Sequence, residues 1–425
     1  MNPTLNHLIN VTQPLTLLGG MTPQLFMKRH WQKKPLLIRG AVPAFNSVGL
    51  RPAGLNAPAI TSFTTSLTTR LATPLATPLL DRAALFDLAA NDDVESRLIV
   101  LQAGVKQWQM KTGPFQRRSL PALKQPQWTL LVQSVDLHND AVRGLLDQFR
   151  FVPDARLDDL MVSYATPGGG VGPHFDSYDV FLLQAHGRRE WRIGHQKDLT
   201  LQDGVPLKIL ADFKPEQTFV LEPGDMLYLP PRYAHEGVAL DECMTYSIGF
   251  RAPNRGELAR ELLQRLADDA PDEVGAALYR DARQSAVSSP AEIPPEMCDF
   301  AQQALTQALR DPIILQRALG EYLTEPKSSV WFEAKTPGDS RGTTGGKSNG
   351  KHGNSLHLDR RTKMMFDARH IFINGDSFLA SGRDATLMKR LADHRHLQAS
   401  DVARVSADAR ALLGTWIEAG WIHGI

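Results

Sequence analysis

At 425 residues the chain is long enough for two or three domains, and its 42% hydrophobic and 22% charged content is ordinary for a globular protein. A formal net charge of +1 gives no overall field that would favour nucleic acid or a membrane surface as a partner. The two cysteines, Cys243 and Cys298, lack metal-ligand spacing. They indicate a reducing compartment and no disulfide framework.

No targeting segment or membrane span is visible in the sequence. The N-terminus has no basic segment followed by an apolar run, so we expect no secretory signal. No stretch approaches the roughly 20 apolar residues of a membrane helix. The sequence therefore predicts a cytoplasmic protein.

The first 165 residues predict short helices alternating with strands. Thr22 and Pro23 are typical of a helix start, and Asp81 should cap a second helix. Residues 54–80, which contain two copies of Ala-Thr-Pro-Leu, are interpreted as a loop-like insertion. The other predicted elements are strands at 36–38, 95–102, 128–133 and 160–165 and a helix at 141–149.

Gly168–Gly170 comes next, and neither a lysine nor a helix start follows it, so it does not predict a phosphate loop. We expect it to form a flexible loop beside the motif His174-Phe175-Asp176. Because residues i and i+2 of a strand point to the same side, His174 and Asp176 can both face a barrel interior.

A second histidine, His235, follows 59 residues after Asp176. Before it come a Pro223-Gly224 turn, a short strand from Met226 to Leu229 and two prolines that should end that strand. Two histidines and a carboxylate form the ligand set of mononuclear iron(II) oxygenases, which leaves positions open for a co-substrate and O₂. Zinc is the alternative metal for such a set.

The strands between 160 and 250 recur every 8 to 15 residues, separated by Gly/Pro turns, and predict a jelly roll. Residues 171–184 and 187–194, with His174, Asp176 and a Gly-Arg-Arg-Glu-Trp segment, resemble the core of the JmjC/cupin-type 2-oxoglutarate oxygenases. Within that family, the stretch from about Pro23 to the C-terminus most resembles the bacterial ribosomal oxygenases.

The resemblance implies that His174, Asp176 and His235 bind iron(II) and are the catalytic residues, with 2-oxoglutarate and O₂ as co-substrates. It also implies that Arg189 pairs with the distal carboxylate of 2-oxoglutarate and that Ser163 helps to hold it. The sequence itself supports Arg189, because this residue alternates with Trp191 and Ile193 on one strand face. A guanidinium there is costly to bury unless an anion meets it.

Neighbouring Arg188 and Arg192 are expected to be surface side chains. Tyr178 and Asp179 lie near the metal motif and are candidates for contacting the substrate. Barrel packing and a strand-end cap explain these two residues equally well.

The resemblance implies an α+β architecture in three parts. Residues 1–252 would form a double-stranded β-helix, residues 253–324 a helical dimerisation segment, and residues 325–425 a winged-helix-like domain with a disordered insertion at 336–356. Leu258, Leu262 and Leu266 recur at helical spacing, and the helical pattern continues through Leu278. Further predictions are a strand at 331–332, solvated His352 and His357, an Asn374-Gly375 hairpin, helices at 387–391 and 407–417 and a terminal strand.

The function implied is a protein hydroxylase that acts on an arginine of a large-subunit ribosomal protein, number sixteen of the bacterial set. One rival is lysine demethylation, or hydroxylation of another protein. The other is a binding module whose C-terminal part holds nucleic acid; from residue 330 onward, 14 Lys+Arg against 10 Asp+Glu leave only a modest positive excess. The expected partners are the ribosomal protein and a second copy of the chain, with nucleic acid only through the ribosome and no membrane.

Overall fold

The computed structural model describes residues 8–43, 79–102, 107–334 and 355–424. They divide into two compact units, one of residues 9–252 and one that runs from residue 253 to residue 424 and includes Leu8. The predicted insertions at 54–80 and 336–356 lie outside the described residues except for the last two residues of each.

The unit of residues 9–252 is built mainly from antiparallel strands. Predicted helix starts are confirmed, because the side chains of Thr22 and Asp81 accept hydrogen bonds from the backbone N–H groups of Leu25 and Ala84. The elements are α1 (Pro23–Arg29), β1 (Leu36–Ile38), α2 (Arg82–Ala89), β2 (Ser96–Gln102), β3 (Gln107–Thr112), β4 (Trp128–Val132), α3 (Asp140–Asp147), β5 (Leu157–Ala165), β6 (His174–Phe175), β7 (Val180–His186), β8 (Arg189–Gly194), β9 (Gln217–Leu221), β10 (Met226–Leu229), β11 (Ala234–Ala239) and β12 (Cys243–Phe250).

Two antiparallel sheets form the predicted jelly roll. The larger has the order β1-β10-β7-β12-β5-β4-β2-β3 and the smaller the order β6-β11-β8-β9. The core on the larger sheet is aromatic: Phe26 packs edge-to-face on Tyr228 with ring centroids 5.0 Å apart, and Phe181 and Phe250 are fully buried beside them. The smaller sheet contributes a separate cluster around Trp191 and Ile193. The register of the smaller sheet is set by the pairing of β11 with β6 and with β8.

The unit that begins at Pro253 contains helices and two small sheets, β17-β13-β18 and β14-β15-β16. The predicted hairpin is confirmed, since Asn374 and Gly375 both have positive φ (50° and 95°), as a tight two-residue turn requires. The elements are α4 (Arg255–Val274), α5 (Pro295–Ala308), α6 (Pro312–Thr324), β13 (Leu356–Leu358), β14 (Met364–Phe366), β15 (His370–Ile373), β16 (Asp376–Leu379), α7 (Gly382–His394), β17 (His396–Leu397), α8 (Ala399–Val402), α9 (Ala407–Glu418) and β18 (Ile422–Gly424).

Three local predictions in this unit are wrong. Residues 331–332 form no strand, and Trp331 is exposed. Leu278 lies beyond the end of α4 and is exposed instead of continuing the helix. His357 is half-buried within β13 and is not a solvated loop residue. Within the described ranges, no helix combines the length and the apolar character that crossing a bilayer requires.

Candidate metal centre

His174 and His235 face each other across the pairing of β6 with β11. They are direct register partners, and their ring centroids are 4.2 Å apart. Asp176 follows β6 directly, and its Oδ2 lies 3.6 Å from Nε2 of His235. The donor atoms of all three side chains lie within 4.8 Å of one another, and no other group of histidine, cysteine or carboxylate side chains in the described residues does so. The structure thus brings the predicted triad together.

Backbone carbonyls orient both imidazoles. Nδ1 of His174 is 3.0 Å from the carbonyl oxygen of Gly172, and Nδ1 of His235 is 2.9 Å from that of Tyr233. A carbonyl oxygen can only accept, so each Nδ1 carries the proton and each Nε2 keeps its lone pair. Both histidines therefore have the tautomer that a metal ligand needs.

His235 is held in its neutral form by its surroundings. Its pKa is lowered to about 4, by burial first and then by the neighbouring His174, and Asp176 opposes this shift. The side chain is 2% exposed. A proton therefore does not compete for this nitrogen at neutral pH, which favours binding of a metal ion.

The turn before His174 is clamped by residues that sequence reasoning missed. Gly172 has φ +76°, and a Cβ on it would lie 2.7 Å from Cδ1 of Ile209 and 2.9 Å from Cζ2 of Trp108. The N–H of Leu210 donates to the carbonyl oxygen of Pro173 at 2.8 Å. Only glycine fits at this position. The carbonyl oxygen of Gly172 is the one that orients His174.

The glycine run Gly168–Gly170 is not the flexible loop that the sequence predicted. The N–H of Gly168 donates to the carbonyl oxygen of Ala239, and the N–H of Ala239 donates to that of Gly169, at 2.8 and 2.9 Å. A Cβ on Gly170 would lie 2.5 Å from the carbonyl oxygen of Gly237. The glycines allow close backbone approach to β11, and this segment is fixed.

Arg189 is buried in the barrel, only 3% exposed. Its Nη1 donates to Ser163 Oγ and to Thr245 Oγ1, each at 3.2 Å, and its guanidinium lies 5.2 Å from the Trp191 ring centroid. Burial lowers its pKa. In the part of the chain that the structure describes, no carboxylate lies within ion-pair distance, and Nε has no hydrogen-bond partner. A buried cation with neutral partners is a site for an anion.

Thr245 completes this polar pocket and was not singled out from the sequence. It is the direct register partner of Ser163 across β5 and β12, and its hydroxyl lies 3.0 Å from Gln184 Oε1. The available signal was a threonine in a mostly apolar strand, β12, which has Ser247 as its other small hydroxyl residue. By contrast, Arg188 and Arg192 are exposed and form surface ion pairs with Asp241 and Glu190, as predicted.

The structure assigns different environments to Tyr178 and Asp179. Asp179 is fully buried and accepts hydrogen bonds from Tyr228, Gln32 and Arg156, so it is a structural residue. Tyr178 is 39% exposed. Its pKa is raised, by burial of the hydroxyl first and then by the carboxylates of Asp176, Asp159 and Asp158. An exposed ring next to several carboxylates remains a candidate for substrate contact.

The jelly roll carries a His-Asp-His cluster on its smaller sheet, and the same barrel contains a buried arginine without a counter-ion. Together these features define a metal-dependent oxygenase of the cupin type. The sequence matches the family described as JmjC domain over residues 144–258 and the family described as ROXA-like winged helix over residues 307–423. Both parts of the chain therefore have relatives among known domains.

Two bacterial relatives match over long stretches. The ribosomal protein uL16 3-hydroxylase of Escherichia coli (strain K12) is 35% identical over 309 residues, which is 72% of each chain. A probable ribosomal oxygenase of Haemophilus influenzae is 32% identical over 265 residues, 59% of this chain and 55% of the relative.

Solved structures agree with this result. The X-ray structure of E. coli ycfD superposes with a TM-score of 0.74 at 26% identity, covering 95% of this chain and 98% of the other. YcfD in complex with cobalt and 2-oxoglutarate gives a TM-score of 0.70 at 27% identity with the same coverage. The chain belongs to the JmjC-type 2-oxoglutarate oxygenases, in the group of the ribosomal oxygenases. The predicted fold class, enzyme class and dependence on a metal and 2-oxoglutarate are confirmed.

Proposed function

We propose that this enzyme hydroxylates an arginine side chain of a large-subunit ribosomal protein, number sixteen of the bacterial set. The observation that carries the proposal is the 35% identity, over 72% of both chains, to the E. coli enzyme named for hydroxylation of uL16. A ribosomal-protein substrate favours a cytoplasmic location, where ribosomal proteins are available. It also favours contact with nucleic acid only through the ribosome.

His174 and His235, through Nε2, and Asp176, through its carboxylate, would hold the iron(II) ion. The fit rests on this structure: the two Nε2 atoms keep their lone pairs, and the carboxylate oxygen lies 3.6 Å from one of them. Bound iron(II) supplies open positions for 2-oxoglutarate and O₂ and the oxidising power for C–H hydroxylation, with 2-oxoglutarate converted to succinate and CO₂. The three side chains would hold the ion and leave its other positions to the reactants.

Arg189 would anchor the distal carboxylate of 2-oxoglutarate. Its two flanking hydroxyls, on Ser163 and Thr245, lie 3.2 Å from Nη1, close enough to share the same carboxylate. The unpartnered Nε and the absence of a carboxylate among the described neighbours support this role. Anchoring one end of the co-substrate fixes its orientation before reaction.

Tyr178, whose hydroxyl interacts with Asp176 of the triad, has a partly exposed ring. We propose that the guanidinium of the substrate stacks on this ring.

The test uses intact enzyme, iron(II), 2-oxoglutarate and a uL16-derived peptide, with mass spectrometry as the measurement. We expect the arginine of the peptide to gain one oxygen atom. This gain should require both iron(II) and 2-oxoglutarate and should be lost in the variant His174→Ala. Replacing that arginine by lysine in the peptide should abolish the gain. Formaldehyde release from an N-methyllysine peptide, without oxygen gain on arginine, would support the demethylase rival. Nucleic-acid binding without any turnover would support the binding module.

We also propose the domain division 1–252, 253–324 and 325–425, with a homodimer formed through the second part. In one chain, α5 has no buried residue, and Leu263, Leu305 and Leu309 are each at least 50% exposed. Such an apolar surface on two adjacent helices fits a second copy of the same helices.

Sedimentation of the full chain at micromolar concentration tests the dimer. Leu305→Asp should give a monomer, because it places a charge in the proposed contact. Leu379→Asp, at an equally exposed leucine on the β15–β16 hairpin, is the matched control and should leave the dimer intact. A wild-type protein that sediments as a monomer would contradict the proposal.

A further inference from the structure

Three histidines lie side by side on the sheet β17-β13-β18. His357 at the centre is the direct register partner of His396 on one side and of His423 on the other. Residues directly opposite on neighbouring antiparallel strands project from the same face, with Cβ atoms about 4.5–5.5 Å apart. The ring centroids of His357 and His423 are 5.2 Å apart. Three imidazoles therefore share one face of a small sheet.

The opposite face of this sheet belongs to the hydrophobic core. All three histidines are half-buried, and they lie on the face that points away from this core. The residues that alternate with the histidines are all buried: Leu356, Leu358, Leu397 and Ile422.

A carboxylate already orients one imidazole. Nε2 of His423 lies 2.9 Å from Oδ2 of Asp359. Nε of Arg361 donates to the other oxygen of this carboxylate at 2.8 Å, so Asp359 has a partner on each oxygen. His423 is the donor to Oδ2. Metal-binding histidines in proteins commonly have such a carboxylate behind them.

We propose that His357, His396 and His423 form a second metal site, which takes one divalent transition-metal ion of the zinc type through three imidazoles. Three nitrogen ligands suit zinc, nickel or copper, and water would complete the coordination. The row is not preformed to the degree of the catalytic cluster: among the described residues only His174, Asp176 and His235 have all donor atoms within 4.8 Å. Rotation of the outer side chains about Cα–Cβ must close the set, and the ion would join three strands. This site is independent of the proposed hydroxylase activity.

Zinc titration of untagged full-length protein tests the site, with binding followed by equilibrium dialysis and metal analysis. The background is His174→Ala/Asp176→Ala, which removes the catalytic ligands. We expect one zinc ion per chain in this background. Adding His357→Ala should weaken binding at least about tenfold, because one of three ligands is lost. Adding His186→Ala, at an exposed histidine at the end of β7, should change nothing.

Folding of each variant is checked by circular dichroism in chelator. If His357→Ala unfolds, His396→Gln replaces it, since this side chain lies on the short outer strand. Zinc should also raise the midpoint of thermal unfolding of the background variant, and this rise should disappear with the histidine substitution. Absence of zinc binding in the background variant, or binding that the histidine substitutions leave unchanged, would overturn the proposal.

Discussion

Two buried charges in the barrel show how its structural core differs from its reactive centre. Asp179 is fully buried, and Tyr228, Gln32 and Arg156 of the same chain all donate to it. Arg189 is 3% exposed, yet its partners are neutral oxygens and an indole ring. A buried charge that its own chain neutralises is part of the fold. A buried charge left without an opposite charge indicates where a ligand completes the structure.

The largest effect is expected from removing a metal ligand. Asp176→Ala should reduce turnover more than about a thousandfold, beyond the 10–100-fold typical of losing an outer partner of a metal ligand, because it removes a ligand itself. Iron binding by dialysis and succinate release measure it. Asp179→Asn, three positions further along, is the control and should still bind iron. Equal metal binding in the two variants would place the ion elsewhere.

Removing the charge of Asp179 should affect stability and leave ligand affinity unchanged. Asp179→Asn breaks a buried ion pair with Arg156, which typically costs about 3–5 kcal/mol of the free energy of unfolding. Chemical denaturation measures the change. The folded fraction should bind 2-oxoglutarate with wild-type affinity. Weaker 2-oxoglutarate binding at unchanged stability would give Asp179 the role assigned to Arg189.

Arg189 should show the opposite pattern. Arg189→Met should weaken 2-oxoglutarate binding by about 2–5 kcal/mol, because it removes a charge-assisted pair. The free energy of unfolding without ligand should stay equal or rise, since an unmatched buried charge is replaced by an apolar side chain. Calorimetric titration of 2-oxoglutarate into the manganese form, together with denaturation, tests both parts. A large loss of stability with intact affinity would make Arg189 structural.

The smallest expected effect is at Thr245. Thr245→Val keeps the shape but removes one hydroxyl beside Arg189, so 2-oxoglutarate affinity should fall by about 1 kcal/mol, or roughly fivefold. Thr129→Val is a matched control, because Thr129 is also buried in the larger sheet but makes no contact with Arg189. A loss of 2-oxoglutarate affinity as large as that of Arg189→Met would mean that the Thr245 hydroxyl, and not the guanidinium, is the main contact of the distal carboxylate.

The joining of His235 to the motif was predicted from the ligand set and the family resemblance, and the role of Arg189 was predicted from that resemblance. The His174–Asp176 spacing and the turn at Pro223-Gly224 could be predicted from local sequence alone, because residue type and spacing are visible in one short segment. The hairpin at Asn374-Gly375 was predictable for the same reason. In these places, short-range geometry decides the structure.

The remaining features depend on partners distant in sequence. Asp179 is assigned to the fold only because Gln32 and Tyr228 reach it. Gly172 is explained by Trp108 and Ile209, which no local pattern connects to it. Strand β3 was missed although Trp108 and Met110 alternate with polar residues, and its pairing with β2 identifies it.

The most direct test is a crystal structure with manganese(II) and 2-oxoglutarate bound. We expect one anomalous-scattering peak about 2.0–2.3 Å from His174 Nε2, His235 Nε2 and a carboxylate oxygen of Asp176. The distal carboxylate of 2-oxoglutarate should pair with Arg189 and contact the hydroxyls of Ser163 and Thr245. Manganese bound elsewhere, or a distal carboxylate that leaves Arg189 without an anion, would contradict the account.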